Sequence, residues 1–197
     1  MKKYNFSAGP CILPPEVLNK ASQSVKEFND SGLSLIEISH RSQDFVEVME
    51  KTRSLVKELL NVPKEYQVLF LQGGASLQFI MTPYNFLKKE GKASYINTGT
   101  WSDKAIKEAE KLGEIIEIAS SKDQNFTYIP KEYSIPETSN YLHITSNNTI
   151  FGTQFKAFPK TDKPLICDMS SDIFSRKINI ADFGMIYAGA QKNMGPA

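Results

Sequence analysis

An alternation of short apolar runs with longer amphipathic stretches most constrains this fold. Residues 67–71, 92–96, 114–118, 141–145, 164–167 and 185–188 are apolar runs of strand length, bounded by turn-forming or polar residues. Helical signals separate them. Pro14-Pro15 ahead of Glu16-Val17-Leu18 suits a first helical turn, and Asp30-Ser31-Gly32 stops that helix at about residue 29. Residues 43–60 place Phe45, Val48, Met49, Leu55, Val56 and Leu59 on one side of a second helix, which Pro63 closes. A third helix is expected after Gly73-Gly74. A fourth is expected from Thr100-Trp101-Ser102-Asp103, a hydroxyl-x-x-acid start, with Gly113 as its C-terminal cap. Residues 120–140 have no clear period and read as loop. Apolar strands separated by helices predict an α/β fold, a mostly parallel sheet flanked by helices on both faces.

The chain of 197 residues is long enough to bury one good core. Its 23 basic and 22 acidic residues leave a formal charge of +1, with the two signs interleaved, so there is no electrostatic footprint for nucleic acid or an anionic membrane. Cys11 and Cys167 stand far apart, which argues against a disulfide framework and for a reducing compartment. The basic N-terminus has no apolar segment behind it, and no run approaches bilayer length; the protein reads as soluble and cytoplasmic. His40, His143 and the two cysteines lack metal-ligand spacing. The nucleotide-binding glycine motifs and the serine-hydrolase elbow are absent.

Several polar residues fall where α/β folds bind ligands. Gln72-Gly73-Gly74-Ala75-Ser76 joins a strand to a helix, where glycines admit a close ligand and helix N–H groups suit a phosphate; a Gly-Gly turn is as often only a turn. Asp168 ends the run Leu165-Ile166-Cys167, at the carboxyl end of a strand. An aspartate there can pair with a protonated pyridine nitrogen, although taken alone it reads more readily as a turn residue. Lys192 follows a later strand and Gly189-Ala190-Gln191. Most lysines are simply solvated, but one beside small residues at a strand end can form an imine with a bound aldehyde. Trp101 stands at a strand-to-helix junction, as a stacking face or as core. Thr149 follows the strand ending at Thr145 and offers a hydroxyl. His40 and Arg41 precede the second helix, either as a surface pair or as a site for a carboxylate or phosphate.

In order along the chain, the segments Asn5-Phe6-Ser7-Ala8-Gly9-Pro10, Glu37-Ile38-Ser39-His40-Arg41-Ser42, Leu71-Gln72-Gly73-Gly74-Ala75-Ser76-Leu77-Gln78-Phe79 and Asn97-Thr98-Gly99-Thr100-Trp101-Ser102 resemble the phosphoserine aminotransferase family. So do Asn147-Asn148-Thr149-Ile150-Phe151-Gly152, Cys167-Asp168-Met169-Ser170-Ser171-Asp172 and Tyr187-Ala188-Gly189-Ala190-Gln191-Lys192-Asn193. The resemblance implies a fold-type I, class V aminotransferase that depends on pyridoxal 5'-phosphate and acts as a homodimer. It implies that Lys192 carries the cofactor and moves the substrate α-proton, that Asp168 pairs with the ring nitrogen, that Trp101 stacks on the ring and that Thr149 bonds the ring oxygen. Ala75, Ser76 and Gln191 would hold the cofactor phosphate, and His40 and Arg41 the acidic substrate. The implied reaction exchanges an amino group between L-glutamate and 3-phosphohydroxypyruvate in serine biosynthesis, with a related substrate in pyridoxine biosynthesis. Residues 1–14 would be an N-terminal arm and 15–197 a shortened cofactor-binding large domain, the family's C-terminal small domain being absent. A cofactor-binding fragment without turnover, and another class V enzyme such as a cysteine desulfurase, are the rival expectations.

Overall fold

The computed structural model describes residues 3–196 and resolves the alternation into one parallel sheet with helices around it. In chain order the elements are α1 (Pro15–Lys26), α2 (Gln43–Leu60), α3 (Gly74–Phe86), β1 (Lys92–Asn97), α4 (Thr100–Ala109), β2 (Glu114–Ser120), β3 (Ser139–Thr145), β4 (Asn147–Asn148), β5 (Thr153–Gln154), β6 (Leu165–Asp168) and β7 (Met185–Tyr187). Strands β2-β1-β3-β6-β7 form a five-stranded sheet in that order, and every pairing in it is parallel. The short β4 and β5 make a separate antiparallel ribbon.

Successive side chains of a strand point to opposite faces, so a sheet covered twice needs apolar residues at both parities. On one face Ile96, Leu142, Ile144, Leu165 and Cys167 pack with Phe155, Met169, Ile173 and Phe183, and Val56 and Leu60 of α2 close over them. On the other, Ala93, Tyr95, Tyr141, Ile166 and Tyr187 meet Phe79 of α3 and Ala105, Ile106 and Ala109 of α4. The register sets Thr145, Asp168 and Tyr187 side by side at the carboxyl ends of β3, β6 and β7. Parallel strands ending together leave a crevice there, because their connections must turn back outside the sheet.

Local expectations give way at several points. Residues 67–71 form no strand: they join no ladder among the described residues, Val68 O accepting only from Arg53 Nε at 3.2 Å, and Leu69 and Leu71 are 70% and 57% exposed. An apolar run becomes a strand only where a partner completes its ladder. Helix α1 ends at Lys26, since Glu27 is extended and Asn29 and Asp30 turn into left-handed conformation. Thr100 is the first residue of α4 rather than its cap; Gly99 holds that position, and Asp103 pairs with Lys107 instead. The helix stops at Ala109 and a tight turn precedes Gly113. Residues 120–140 carry one short 3-10 turn, Lys122–Gln124. Residues 3–14 contain no helix or strand, and Met1, Lys2 and Ala197 at the ends of the expected arm and domain lie outside the described residues.

Candidate active site

Asp168 is 4% exposed at the end of β6. Its Oδ1 accepts the Ser170 N–H at 2.9 Å and the Ser170 hydroxyl at 2.6 Å. Burial raises its pKa from the ordinary value; the two Ser170 bonds and the Lys192 charge oppose the rise, and Asp172 adds to it. A buried carboxylate so held is a strong acceptor for a cationic N–H donor, because little water competes.

Lys192 stands in the turn after β7 and is half-buried. Its Nζ donates to Thr149 Oγ1 at 2.9 Å and lies 5.6 Å from the Trp101 ring centroid. Burial lowers the pKa of its ammonium, with Asp168 and Cys11 acting the other way. The neutral amine is therefore more accessible than on a solvated lysine. Trp101 Nε1 also donates to Thr149 Oγ1, at 3.2 Å. Two donors converge on that oxygen, which leaves the hydroxyl hydrogen of Thr149 to be given elsewhere.

The chain brings these groups together through its turns. Gly99 has φ +152°, and a side chain there would collide with Asn148 and the Phe151 ring. Only glycine lets the β4–β5 ribbon close on the β1–α4 junction. Asn148 Nδ2 then donates to Thr98 Oγ1 at 2.7 Å and fixes Thr149 beside Trp101. Helix α3 starts from Gly73, at φ +88°, without a side-chain cap. Its first turn presents Ala75 and Ser76 with backbone donors, and a Cβ on Gly189 would lie 3.6 Å from Ala75.

Ala75, Ser76, Trp101, Asp168, Gln191 and Lys192 line a single cleft of about 740 Å³. Thr149 touches it through its bonds to Trp101 and Lys192. His40 and Arg41 are exposed in the turn before α2 and do not line it. Sequence reasoning passed over three contributors. Ser170 grips Asp168, and an Asp-x-Ser spacing is a recognisable side-chain turn. Thr145 also lines the cleft, with a buried hydroxyl that has no protein partner. Residues 9–11 lie over the lysine turn: Cys11 N–H donates to Gln191 O at 3.3 Å, and Gly9 packs on the Lys192 stem. No local signal announces a contact between opposite ends of a chain. Among the described residues no group of three or more His, Cys, Asp or Glu side chains is placed to hold a metal, and no helix is long and apolar enough to cross a membrane.

A parallel α/β sheet with a lysine, a buried aspartate and a helix N-terminus facing one cleft defines a class of aminotransferase domain. The sequence model of the class-V aminotransferases matches residues 3–197, and the chain belongs to that family. Within it the chain is similar to phosphoserine aminotransferases. It is 64% identical over 198 residues to the phosphoserine aminotransferase of Flavobacterium psychrophilum, covering all of this chain and 56% of that relative, so it spans about half the relative's length. A solved phosphoserine aminotransferase, studied for radiation damage of its Schiff base, superposes with a TM-score of 0.97 at 52% identity, covering all of this chain and 56% of that one. A phosphoserine aminotransferase from Trichomonas vaginalis, solved with PLP bound, gives a TM-score of 0.92 at 36% identity, over 98% of this chain and 55% of that one.

Proposed function

We propose that this chain is the cofactor-binding part of a phosphoserine aminotransferase, exchanging an amino group between L-glutamate and 3-phosphohydroxypyruvate to give O-phospho-L-serine and 2-oxoglutarate. The observation that carries this reading is the convergence of Lys192, Asp168 and Trp101 on one cleft beside the start of α3. The residues fit pyridoxal 5'-phosphate. Asp168 has one oxygen engaged by Ser170, Thr145 offers a buried hydroxyl without a partner, and Trp101 supplies a flat apolar face. When bound, the cofactor supplies an aldehyde and a protonatable ring that draws negative charge from the substrate α-carbon.

Every other role belongs to the chain. Lys192 Nζ, its ammonium disfavoured by burial, would take a proton from the substrate α-carbon and pass it on, ending as the amine it began. Asp168 would hold a proton on the ring nitrogen. Trp101 would stack on the ring and exclude water, while Thr149 would donate its hydroxyl to the ring oxygen. Ala75, Ser76 and Gln191 would hold the phosphate, with the donors at the start of α3 among those available. His40 and Arg41 are proposed to meet the acidic substrate. Because they stand outside the cleft of their own chain, that role requires them to reach the cleft of a second copy, as a homodimer would allow. Residues 1–14 as an arm, 15–197 as a large domain, a cytoplasmic location and action on the pyridoxine-pathway substrate belong to the same proposal.

The test is an absorbance spectrum of the chain with added pyridoxal phosphate, then borohydride reduction and peptide mapping. The expected result is a single reduced adduct on Lys192; an adduct spread over surface lysines overturns the assignment. A second reading is cofactor binding without turnover by this chain, which spans 56% of its relative. Release of 2-oxoglutarate from glutamate and 3-phosphohydroxypyruvate separates the two.

A further inference from the structure

We infer that Ser170 is a positioning residue whose hydroxyl couples the Asp168 carboxyl to the lysine-bearing turn. Ser170 Oγ donates to Asp168 Oδ1 at 2.6 Å and accepts the Gly189 N–H at 2.9 Å. A hydroxyl has one hydrogen, so with Asp168 ionised the direction is fixed: Gly189 N–H to Ser170 O, and Ser170 O–H to the carboxylate. The Ser170 N–H adds a second bond to the same carboxylate oxygen at 2.9 Å. Oδ1 is thereby held from two sides, and Oδ2 is left for a ligand. Gly189 opens the turn that carries Lys192, so a single side chain joins the mounts of the two groups that face the cleft.

The neighbouring serine is an internal control. Ser171 Oγ donates to Asn147 O and accepts from Asn147 Nδ2, both at 2.9 Å, and so serves the β4 ribbon instead. Around Asp168 the other titratable groups are Lys192, Asp172, the Tyr187 phenol and the Cys167 thiol. None of them bonds to Asp168 Oδ1 as Ser170 does. The inference rests on the aminotransferase reading for what Asp168 is positioned to meet, but the coupling itself belongs to the chain without cofactor.

The test follows the Asp168 carboxyl carbon and the Gly189 amide by NMR through a pH titration of the unmodified chain, Ser170→Ala, Ser170→Thr and Ser171→Ala. In the unmodified chain the Gly189 amide shift should titrate with the Asp168 midpoint. In Ser170→Ala that midpoint should move up, the Gly189 amide should cease to follow it, and its hydrogen exchange should quicken about fivefold. Ser170→Thr should restore all three, and Ser171→Ala should change none. A Gly189 amide indifferent to Asp168 in the unmodified chain overturns the inference, and so does an unmoved Asp168 midpoint in Ser170→Ala. Because these readouts need no cofactor, their failure is distinct from failure to trap an adduct on Lys192.

Discussion

At the residue scale the cleft depends on two ionisable groups, Asp168 and Lys192, whose burial works against their charged forms. For Asp168 burial favours the protonated form. Its folded pKa lies above the unfolded value. The stability it contributes is therefore complete below the unfolded carboxylate pKa, about 3.9, and is lost as pH rises through the folded one. Asp168→Asn removes the buried charge but keeps an oxygen for Ser170, so the cofactor-free variant should melt higher than the parent at pH 7. The gap should narrow toward pH 4, while retention of pyridoxal phosphate falls. An equal or lower melting temperature at pH 7 would mean that the ionised carboxylate is no burden. Lys192→Ala should abolish the borohydride-trapped adduct yet shift unfolding free energy by no more than about 1 kcal/mol, since the side chain is half-buried and makes one hydrogen bond. A trapped adduct that persists in this variant would assign the chemistry to another lysine. The placement of Asp168 at a strand end, and of Lys192 in the turn after a later strand, was legible in the sequence because strand ends announce themselves; the bond between Ser170 and Gly189 was not, because it crosses the sheet end.

At the element scale stability follows burial rather than hydrophobicity. Ile144 is 0% exposed near the end of β3, the middle strand of the sheet, whereas Leu69, in an equally apolar run, is 70% exposed. Ile144→Ala should cost roughly 2–5 kcal/mol in urea unfolding. Leu69→Ser should stay within about 0.5 kcal/mol, and a larger loss would show that the 67–71 segment is covered in solution. Periodicity could not separate these two runs, because both have strand length and composition; the difference is a partner strand. The start of α4 carries a second element-scale prediction. Gly99→Ala places a methyl against Asn148 and Phe151 at a φ that L residues avoid, so a cost of about 1–3 kcal/mol is expected. The same substitution should weaken cofactor retention, since Thr149 and Trp101 are mounted on either side of that junction.

At the scale of the whole molecule, pH acts through a histidine remote from any ligand role the sequence suggested. His143 is 1% exposed, stacks on Tyr95 with ring centroids 4.6 Å apart and shares a 2.9 Å hydrogen bond with the Tyr187 hydroxyl. Burial pushes its pKa down to about 3. A depressed pKa contributes stability above the unfolded value near 6.5, and that stability is lost as pH falls toward 3. The slope is about 1.4 kcal/mol per pH unit, so His143 by itself should remove roughly 2 kcal/mol from the urea unfolding free energy on acidification to pH 5, against the opposite contribution of Asp168. His143→Gln should lack that loss, and a parent chain and a His143→Gln variant whose stabilities change equally between pH 7.5 and 5 would refute the buried neutral imidazole. The alternation of apolar runs and helical stretches determined the α/β class and the strand-end placement of Asp168 and Lys192, because side-chain period and turn chemistry are local properties. The ordered motifs determined the family. Only the tertiary structure decided which apolar run finds a ladder, that Gly9 and Cys11 lie on the Lys192 turn, that His40 and Arg41 stand outside the cleft, and that Ser170 joins its two sides. Each of those depends on contacts between residues distant along the chain, and such contacts leave no periodic trace in a sequence.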